Sequence, residues 1–360
     1  MKAIVNQGML AHGLSIVGRA VAGRSTLPIL GNVMVSTGSE GLTLSATNLE
    51  LMISCRVTAE VREEGATTIP ARTLTDLVRA LPDSPISLSV SENENTTLTC
   101  DGSRSRIKGI PAVEFPNIYP FPEDNSLTLL GIGGIIKQVA MAAATDTSRP
   151  VLEGVLVELS DNKLIMAAAD GFRLAVCNVD TGVNGSISVI IPAKALSEVA
   201  KMDGEVELSL SENRAFFRSG GVLLVTQLIE GKFPDYNQII PKDWTTRTEL
   251  RTQDLLHAVR MASVFARDSS DIIKLAVDEN SCVVSAQSAE TGDHSGKIDV
   301  DSEGSDLLIG VNGKYLMDSL SVMGTDKVTI DMQGPSNPMV IRPVDGGDLT
   351  HVVMPVHISE

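Results

Sequence analysis

Aromatic residues are scarce: one Trp, three Tyr and seven Phe amount to 3% of this 360-residue chain, while 43% of it is hydrophobic. Cores for a chain of this length, enough for two or three domains, must therefore be packed from Val, Ile, Leu, Ala and Met. Cysteine is equally thin. Cys55, Cys100, Cys177 and Cys282 lie far apart, form no C-x-x-C pair and have no His at ligand spacing. They read as small buried hydrophobes of a reducing compartment rather than disulfides or metal ligands. No stretch approaches the ~20 apolar residues of a membrane span. The N-terminal apolar residues are interrupted by Asn6, Gln7, His12 and Ser15, which is not a signal-peptide pattern, so a soluble, cytoplasmic protein without membrane partners is expected. Catalytic motifs are missing too. His12, His257, His294, His351 and His357 stand in unrelated contexts, with no H-E-x-x-H and no nucleophile elbow. Gly131-Ile132-Gly133-Gly134 lacks the rest of any phosphate-loop fingerprint and is read as preceding a helix, and Asp170-Gly171 reads as a turn rather than a metal site. The expectation is no enzyme, no metal and no cofactor. Positive charge is also short: 29 Lys and Arg against 45 Asp and Glu leave a formal charge of -16. Taken alone that argues against nucleic acid, although net charge does not say where the charges sit.

What the chain does have is repetition at a period of roughly 120 residues. Leu42-Thr43-Leu44-Ser45-Ala46-Thr47-Asn48-Leu49-Glu50-Leu51 answers to Leu164-Ile165-Met166-Ala167-Ala168-Ala169-Asp170-Gly171-Phe172-Arg173-Leu174, and more faintly to Ser281-Cys282-Val283-Val284-Ser285-Ala286-Gln287-Ser288. A second marker keeps the same interval: Ile69-Pro70-Ala71-Arg72, Ile191-Pro192-Ala193-Lys194 and Val311-Asn312-Gly313-Lys314. Three similar domains in one chain make a frame of quasi-equivalent faces, so function is expected in assembly geometry rather than in one pocket.

Each repeat reads as two copies of strand, helix and three strands. In the first, strands are expected at 2–6, 29–36, 42–46 and 51–61, with a helix over 9–22 carrying Leu10, Leu14, Val17 and Val21. The pattern restarts with a strand at 67–70 and a helix over Leu74, Leu77, Val78 and Leu81. Strands then follow near 86–90, 96–100 and 105–110. Later helices are expected around Ile135 to Ala143, Leu196 to Met202, Leu255 to Ala262 and Tyr315 to Leu320. Proline-bearing stretches, Phe115-Pro116-Asn117-Ile118-Tyr119-Pro120-Phe121-Pro122 and Phe233-Pro234-Asp235-Tyr236, separate the repeats and stiffen the joints. The expected fold is α+β, helices on one face of antiparallel sheet, in domains 1–123, 124–244 and 245–360. Open sheet edges are liabilities that tandem domains, or a second chain, can pair away.

Several segments together carry a resemblance over essentially the whole chain. They are Thr26-Leu27-Pro28-Ile29-Leu30-Gly31-Asn32-Val33, Ala46-Thr47-Asn48-Leu49-Glu50, Arg149-Pro150-Val151-Leu152-Glu153-Gly154, Ala169-Asp170-Gly171-Phe172-Arg173-Leu174, Gly231-Lys232-Phe233-Pro234-Asp235-Tyr236 and Val352-Val353-Met354-Pro355. No one of them is decisive, but their shared order is specific. The chain resembles the bacterial β sliding clamps, the processivity subunits of DNA polymerase III. The resemblance implies a head-to-tail homodimeric ring of six similar domains, helices lining the hole and sheets outside, holding duplex DNA by topology without reading its sequence.

Under that resemblance the helices should be basic in an acidic protein. They carry Arg19, Arg72, Arg79, Lys137, Lys194, Lys201, Arg260 and Lys314 against Asp76, Glu198, Asp254 and Asp318. Arg24, Arg72 and Lys194 are the implied DNA contacts, with Arg149 a further candidate. A groove between the second and third domains is implied to take short peptides of the polymerase III catalytic subunit, the clamp loader and other clamp-binding-motif proteins. Its matching residues are Leu152, Ala169, Gly171, Phe172, Arg173, Leu174, Pro234, Asn312, Tyr315, Val352, Met354 and Pro355. Phe172 departs from the family, which usually has His there, and the chain runs on through His357-Ile358-Ser359-Glu360 beside the groove. The implied dimer seam joins Arg104, Arg106 and Ile107 of one copy to Val264, Phe265, Glu290 and Asp293 of the other. Two other classes make distinct forecasts: a monomeric acidic scaffold without a basic inner face, and a hydrolase with a deep cleft and paired carboxylates.

Overall fold

The computed structural model describes residues 1–23, 25–91, 93–124, 126–146, 148–183, 185–267 and 270–358. Compactness divides the chain into two units, Met1–Leu130 with Lys201–Leu228, and Gly131–Ala200 with Ile229–Glu360. Strand pairing among the described residues is antiparallel throughout, as period-2 runs punctuated by short turns require.

The first unit holds α1 (Gln7–Val17) and α2 (Ala71–Ala80). Its five-stranded sheet runs, in spatial order, Ala59–Glu63, Lys2–Asn6, Pro85–Val90, Asn95–Cys100 and Ser103–Lys108. Its eight-stranded sheet runs Leu127–Leu129, Val206–Ser211, Arg214–Ser219, Val222–Gln227, Leu51–Val57, Gly41–Thr47, Asn32–Gly38 and Gly65–Pro70. Helix α1 starts where Asn6 accepts hydrogen bonds from the N–H groups of Gly8 and Met9, a side-chain cap of the usual kind. It buries Leu10, Leu14 and Val17 against the sheet, at about 2 kcal/mol for each such side chain removed from water. The approach is close because residue 13 has no side chain. A β-carbon there would stand 2.7 Å from Val57 and 2.9 Å from Leu44.

The second unit holds α3 (Ile132–Val139), α4 (Ala193–Val199), α5 (Thr252–Ala266) and α6 (Gly313–Ser321). Its nine-stranded sheet runs Ile187–Pro192, Gly154–Ser160, Lys163–Ala169, Arg173–Asp180, Asp348–Val353, Met339–Pro343, Lys327–Met332, Thr246–Arg251 and Asp301–Gly304. Its four-stranded sheet runs Gly292–Asp299, Ser281–Ser288, Ile272–Val277 and Leu307–Asn312. Helix α3 packs on Lys163–Ala169 and Arg173–Asp180, and α5 packs on α6 and the four-stranded sheet.

The expected edge-to-edge pairing of repeats is present inside each unit. Met52 faces Val225 where the first repeat meets the second, and Leu174 faces Val352 where the second meets the third. The second repeat thus contributes strands to both large sheets. All three Ile-Pro-Ala-type markers turn a strand into a helix, at α2, α4 and α6.

Some local expectations are corrected. The strand expected from 29 begins at Asn32, because Pro28 opens a 3-10 turn over Pro28–Gly31. The run expected at 51–61 is two strands belonging to different sheets, broken at Thr58. The first helix stops at Val17 and tightens into a 3-10 turn rather than reaching residue 22. Gly133 and Gly134 lie in the first turn of α3 instead of preceding it.

The first linker is strapped across the eight-stranded sheet of its unit. Phe121 packs with Met52, Phe216 and Val225, and Tyr119 borders them. Arg214 lies 4.1 Å from the centre of the Tyr119 ring and Arg218 4.0 Å from that of Phe121. Arg218 also holds Glu123 at 2.6 and 3.0 Å and pairs with Glu207.

Candidate functional site

The second unit gathers the expected groove residues around one turn. Asp170 Oδ1 accepts hydrogen bonds from the backbone N–H groups of Phe172 and Arg173, both at 2.9 Å. This is an Asx turn, closed by Gly171 at φ +93°. Asp170 Oδ2 accepts from Arg173 Nε at 3.0 Å, and Arg173 Nη1 donates to Asp318 Oδ2 at 2.7 Å. The same guanidinium lies 4.5 Å from the centre of the Tyr315 ring, and the Phe172 ring stacks on Tyr315 at 6.5 Å. Asn312 caps α6 by accepting from Tyr315 N at 3.1 Å, which fixes that ring's helix. The Phe172 carbonyl accepts from Met354 N at 2.8 Å, so turn and C-terminal segment are laced together. Burial, with the Asp170 carboxylate adding, pushes the Tyr315 phenol up.

Of the expected groove residues, Leu152, Ala169, Leu174 and Val352 are buried in one core cluster with Phe233 and Tyr236. Pro234 is exposed between those two aromatics. Phe172 and Met354 are the large exposed apolar members of the set, at 62% and 36%. Pro355 bridges to Val311 and Val356 N donates to the Gly310 carbonyl at 2.8 Å, so the tail runs along the Leu307–Asn312 strand. Ser359 and Glu360 lie outside the described residues. Sequence reasoning missed the partners of Arg173. Asp170 reads as a turn residue and Asp318 as one more helix charge, and only the fold brings both to the guanidinium. An arginine three residues after an Asx-turn aspartate was the available signal.

His351 carries no signal in its sequence context. It lies on Asp348–Val353 opposite Ala175, only 1% exposed, and its Nε2 has no partner among the described residues. Burial holds its pKa down to about 4, Arg173 lowering it further and a backbone hydrogen bond with Gln138 opposing. The fold therefore keeps the imidazole neutral, whereas the unfolded chain protonates it near pH 6.5. Stability is full above pH 6.5 and is lost as pH falls toward 4, by about 3 kcal/mol in all. Urea unfolding of the wild type and His351→Gln across that window should show the acid limb flattened in the variant.

Of the expected DNA contacts, Arg72 and Lys194 are the second residues of α2 and α4 and are exposed. Arg72 is 96% exposed and stands 3.8 Å from Asp76. A cation in a first helical turn opposes the helix dipole, so helix stability does not account for either residue. Lys314 holds the same place in α6. Arg149 precedes the 3-10 turn Pro150–Glu153, and a β-carbon on Gly171 would stand 3.8 Å from its Nη1, so Arg149 borders the groove turn. Arg24 lies outside the described residues.

The expected seam residues sit on two sheet edges, a turn and helix α5. Arg104 and Arg106 are exposed on Ser103–Lys108, the last strand of the five-stranded sheet, with Ile107 buried behind them. Asp293 is exposed on Gly292–Asp299, the first strand of the four-stranded sheet, and Glu290 is exposed in the turn before it. On α5, Val264 is 54% exposed and Phe265 stacks on His294 with ring centres 6.1 Å apart.

Comparison with known proteins covers nearly the full length. Residues 1–119 match the N-terminal, 131–235 the central and 237–357 the C-terminal domain of the DNA polymerase III beta subunit. The beta sliding clamp of Synechocystis sp. is 30% identical, with 99% of this chain and 100% of that protein covered. That of Staphylococcus epidermidis is 29% identical, with 94% of each covered. The crystal structure of the DNA polymerase sliding clamp from Bacillus subtilis superposes with a TM-score of 0.94 at 25% identity over 100% of both chains. The repeats, the antiparallel sheets with packed helices and these full-length matches agree: the chain belongs to the DNA polymerase III beta subunit family, the bacterial beta sliding clamps.

Proposed function

We propose that this chain is a DNA sliding clamp, built from domains 1–123, 124–244 and 245–360, that tethers the replicative polymerase to duplex DNA and performs no chemistry itself. Two copies pair head to tail, the Ser103–Lys108 edge of one against the Gly292–Asp299 edge of the other. The helices, with Arg72 and Lys194, face the DNA, and loose phosphate contacts suffice because topology prevents escape. Base readout would only hinder sliding. The groove around Phe172, Arg173 and Tyr315 takes peptides of the polymerase catalytic subunit, the clamp loader and other clamp-binding proteins. The cytoplasm is the proposed location. No described helix is long and apolar enough to cross a membrane.

The observation that carries this reading is the match of all three family domains in order along one chain. Its test is topological: protein loaded on nicked circular DNA should be retained through gel filtration and lost once the circle is linearised. Retention that survives linearisation would overturn it. Arg72→Ala with Lys194→Ala should leave thermal stability unchanged. It should reduce the salt dependence of DNA binding by ~0.9 in log–log slope for each phosphate contact removed, measured by fluorescence anisotropy.

A further inference from the structure

We infer that the junction of the first two repeats carries a second peptide-docking cleft, for a linear segment with one apolar anchor beside one carboxylate. The inference rests on the reading of the Phe172 groove as a peptide site, because the first unit repeats that site's construction. Met52 faces Val225 as Leu174 faces Val352. Asn48 Oδ1 accepts from Glu50 N at 3.0 Å and Leu51 N at 2.8 Å, the same Asx turn that Asp170 makes. The Glu50 carbonyl accepts from Gln227 N at 3.2 Å, as that of Phe172 does from Met354 N. Arg214 stacks on Tyr119 as Arg173 stacks on Tyr315. Between these parts lies a small open cleft with a cavity volume of about 100 Å³, room for a single anchoring side chain.

One difference points to use. Where the groove turn has Gly171, this turn has Leu49 at φ +80° and 51% exposed. A bulky residue in the left-handed region is strained, and such strain collects at binding sites. Packing does not require Leu49, since half of it faces solvent, but it gives the cleft an apolar wall above the buried Met52 and Val225.

The polar lining selects the occupant. Asn117 and Gln227 carry amides that both donate and accept, matching the alternating groups of an extended backbone. Among the described residues, Arg214 uses two of its five N–H groups, on Glu212 at 3.2 Å and on the Tyr119 hydroxyl at 3.1 Å. It is the cation of the lining, in a chain whose formal charge of -16 otherwise repels acidic segments. A carboxylate next to the anchor is thus matched here, by a guanidinium suited to two parallel hydrogen bonds. Glu50 on the rim disfavours a second acidic group.

Met52 and Met354 give each cleft its own reporter. The full-length protein, labelled with 13C in its methionine methyl groups, is titrated to millimolar concentration with the peptide N-acetyl-Ser-Leu-Asp-Gly-amide. The expected result is a saturable shift of the Met52 resonance, weakened on the order of tenfold by Arg214→Gln and by replacing the peptide's Asp with Asn. Leu49→Gly should also weaken it while leaving the unfolding midpoint equal or higher, because the strain is relieved. A shift of Met354 alone would overturn the second cleft and leave the groove reading standing. A shift of Met52 alone would support the cleft and count against the groove for this peptide. No shift of either, or a Met52 shift indifferent to all three changes, would overturn the inference.

Discussion

Val264→Asp is expected to convert the proposed dimer to a monomer. Val264 is 54% exposed on α5, so the free chain tolerates an aspartate there at little cost to folding. In the proposed seam the same carboxylate is desolvated and adds a third acid to Glu290 and Asp293, which already match Arg104 and Arg106, and this costs about 3 kcal/mol or more. That raises the dimer dissociation constant on the order of 100-fold. The formal charge of -16 on each copy leaves little to compensate it. Single rim changes such as Arg104→Ala should matter far less, because exposed ion pairs contribute about 0–1 kcal/mol. Light scattering over a dilution series decides the matter. Wild type should hold twice the chain mass and Val264→Asp should fall to one chain mass, with Val264→Thr near wild type. A variant still dimeric at every dilution would remove α5 from the seam.

The combined change Phe172→Ala and Met354→Ala is expected to abolish most peptide affinity. These are the large exposed apolar side chains of the proposed groove, at 62% and 36%, whereas Leu174 and Val352 are core. Anchors of this kind are each worth about 1–2 kcal/mol, so the pair should lower affinity roughly 30-fold or more. The fold should survive, because the bond joining the two residues runs from backbone to backbone and both side chains project from the core. Isothermal titration with a peptide from the polymerase catalytic subunit gives the number. An unchanged dissociation constant would place the peptide elsewhere. An equally large loss with Arg173→Lys would implicate the guanidinium's fork geometry, which Asp170 and Asp318 hold in place.

Much of this could be read from the chain in one dimension. The spacing of Leu10, Leu14 and Val17 gives a helix, the alternation in 42–46 gives a strand, and the recurring Ile-Pro-Ala-type markers give three strand-to-helix junctions. These are local: periodicity reports which face of an element is buried, and proline and glycine report where it must stop. The ordered segments that identify the family are local in the same sense. Errors arose where a local rule had competitors, as at Pro28, where a 3-10 turn displaced the start of a strand, and at Thr58, where one apolar run was shared between two sheets.

Tertiary structure alone decided which distant edges join. Met52 meets Val225 and Leu174 meets Val352, which splits the second repeat between two compact units. It alone tied Arg173 to Asp318 across 145 positions, buried His351 as a neutral base and strapped Tyr119 and Phe121 beneath two arginines. The physical reason is that burial, charge pairing and edge pairing depend on separation in space. A sequence states that Arg173 is a cation and His351 a base, but the groups that set their behaviour arrive from other strands only when the sheets close.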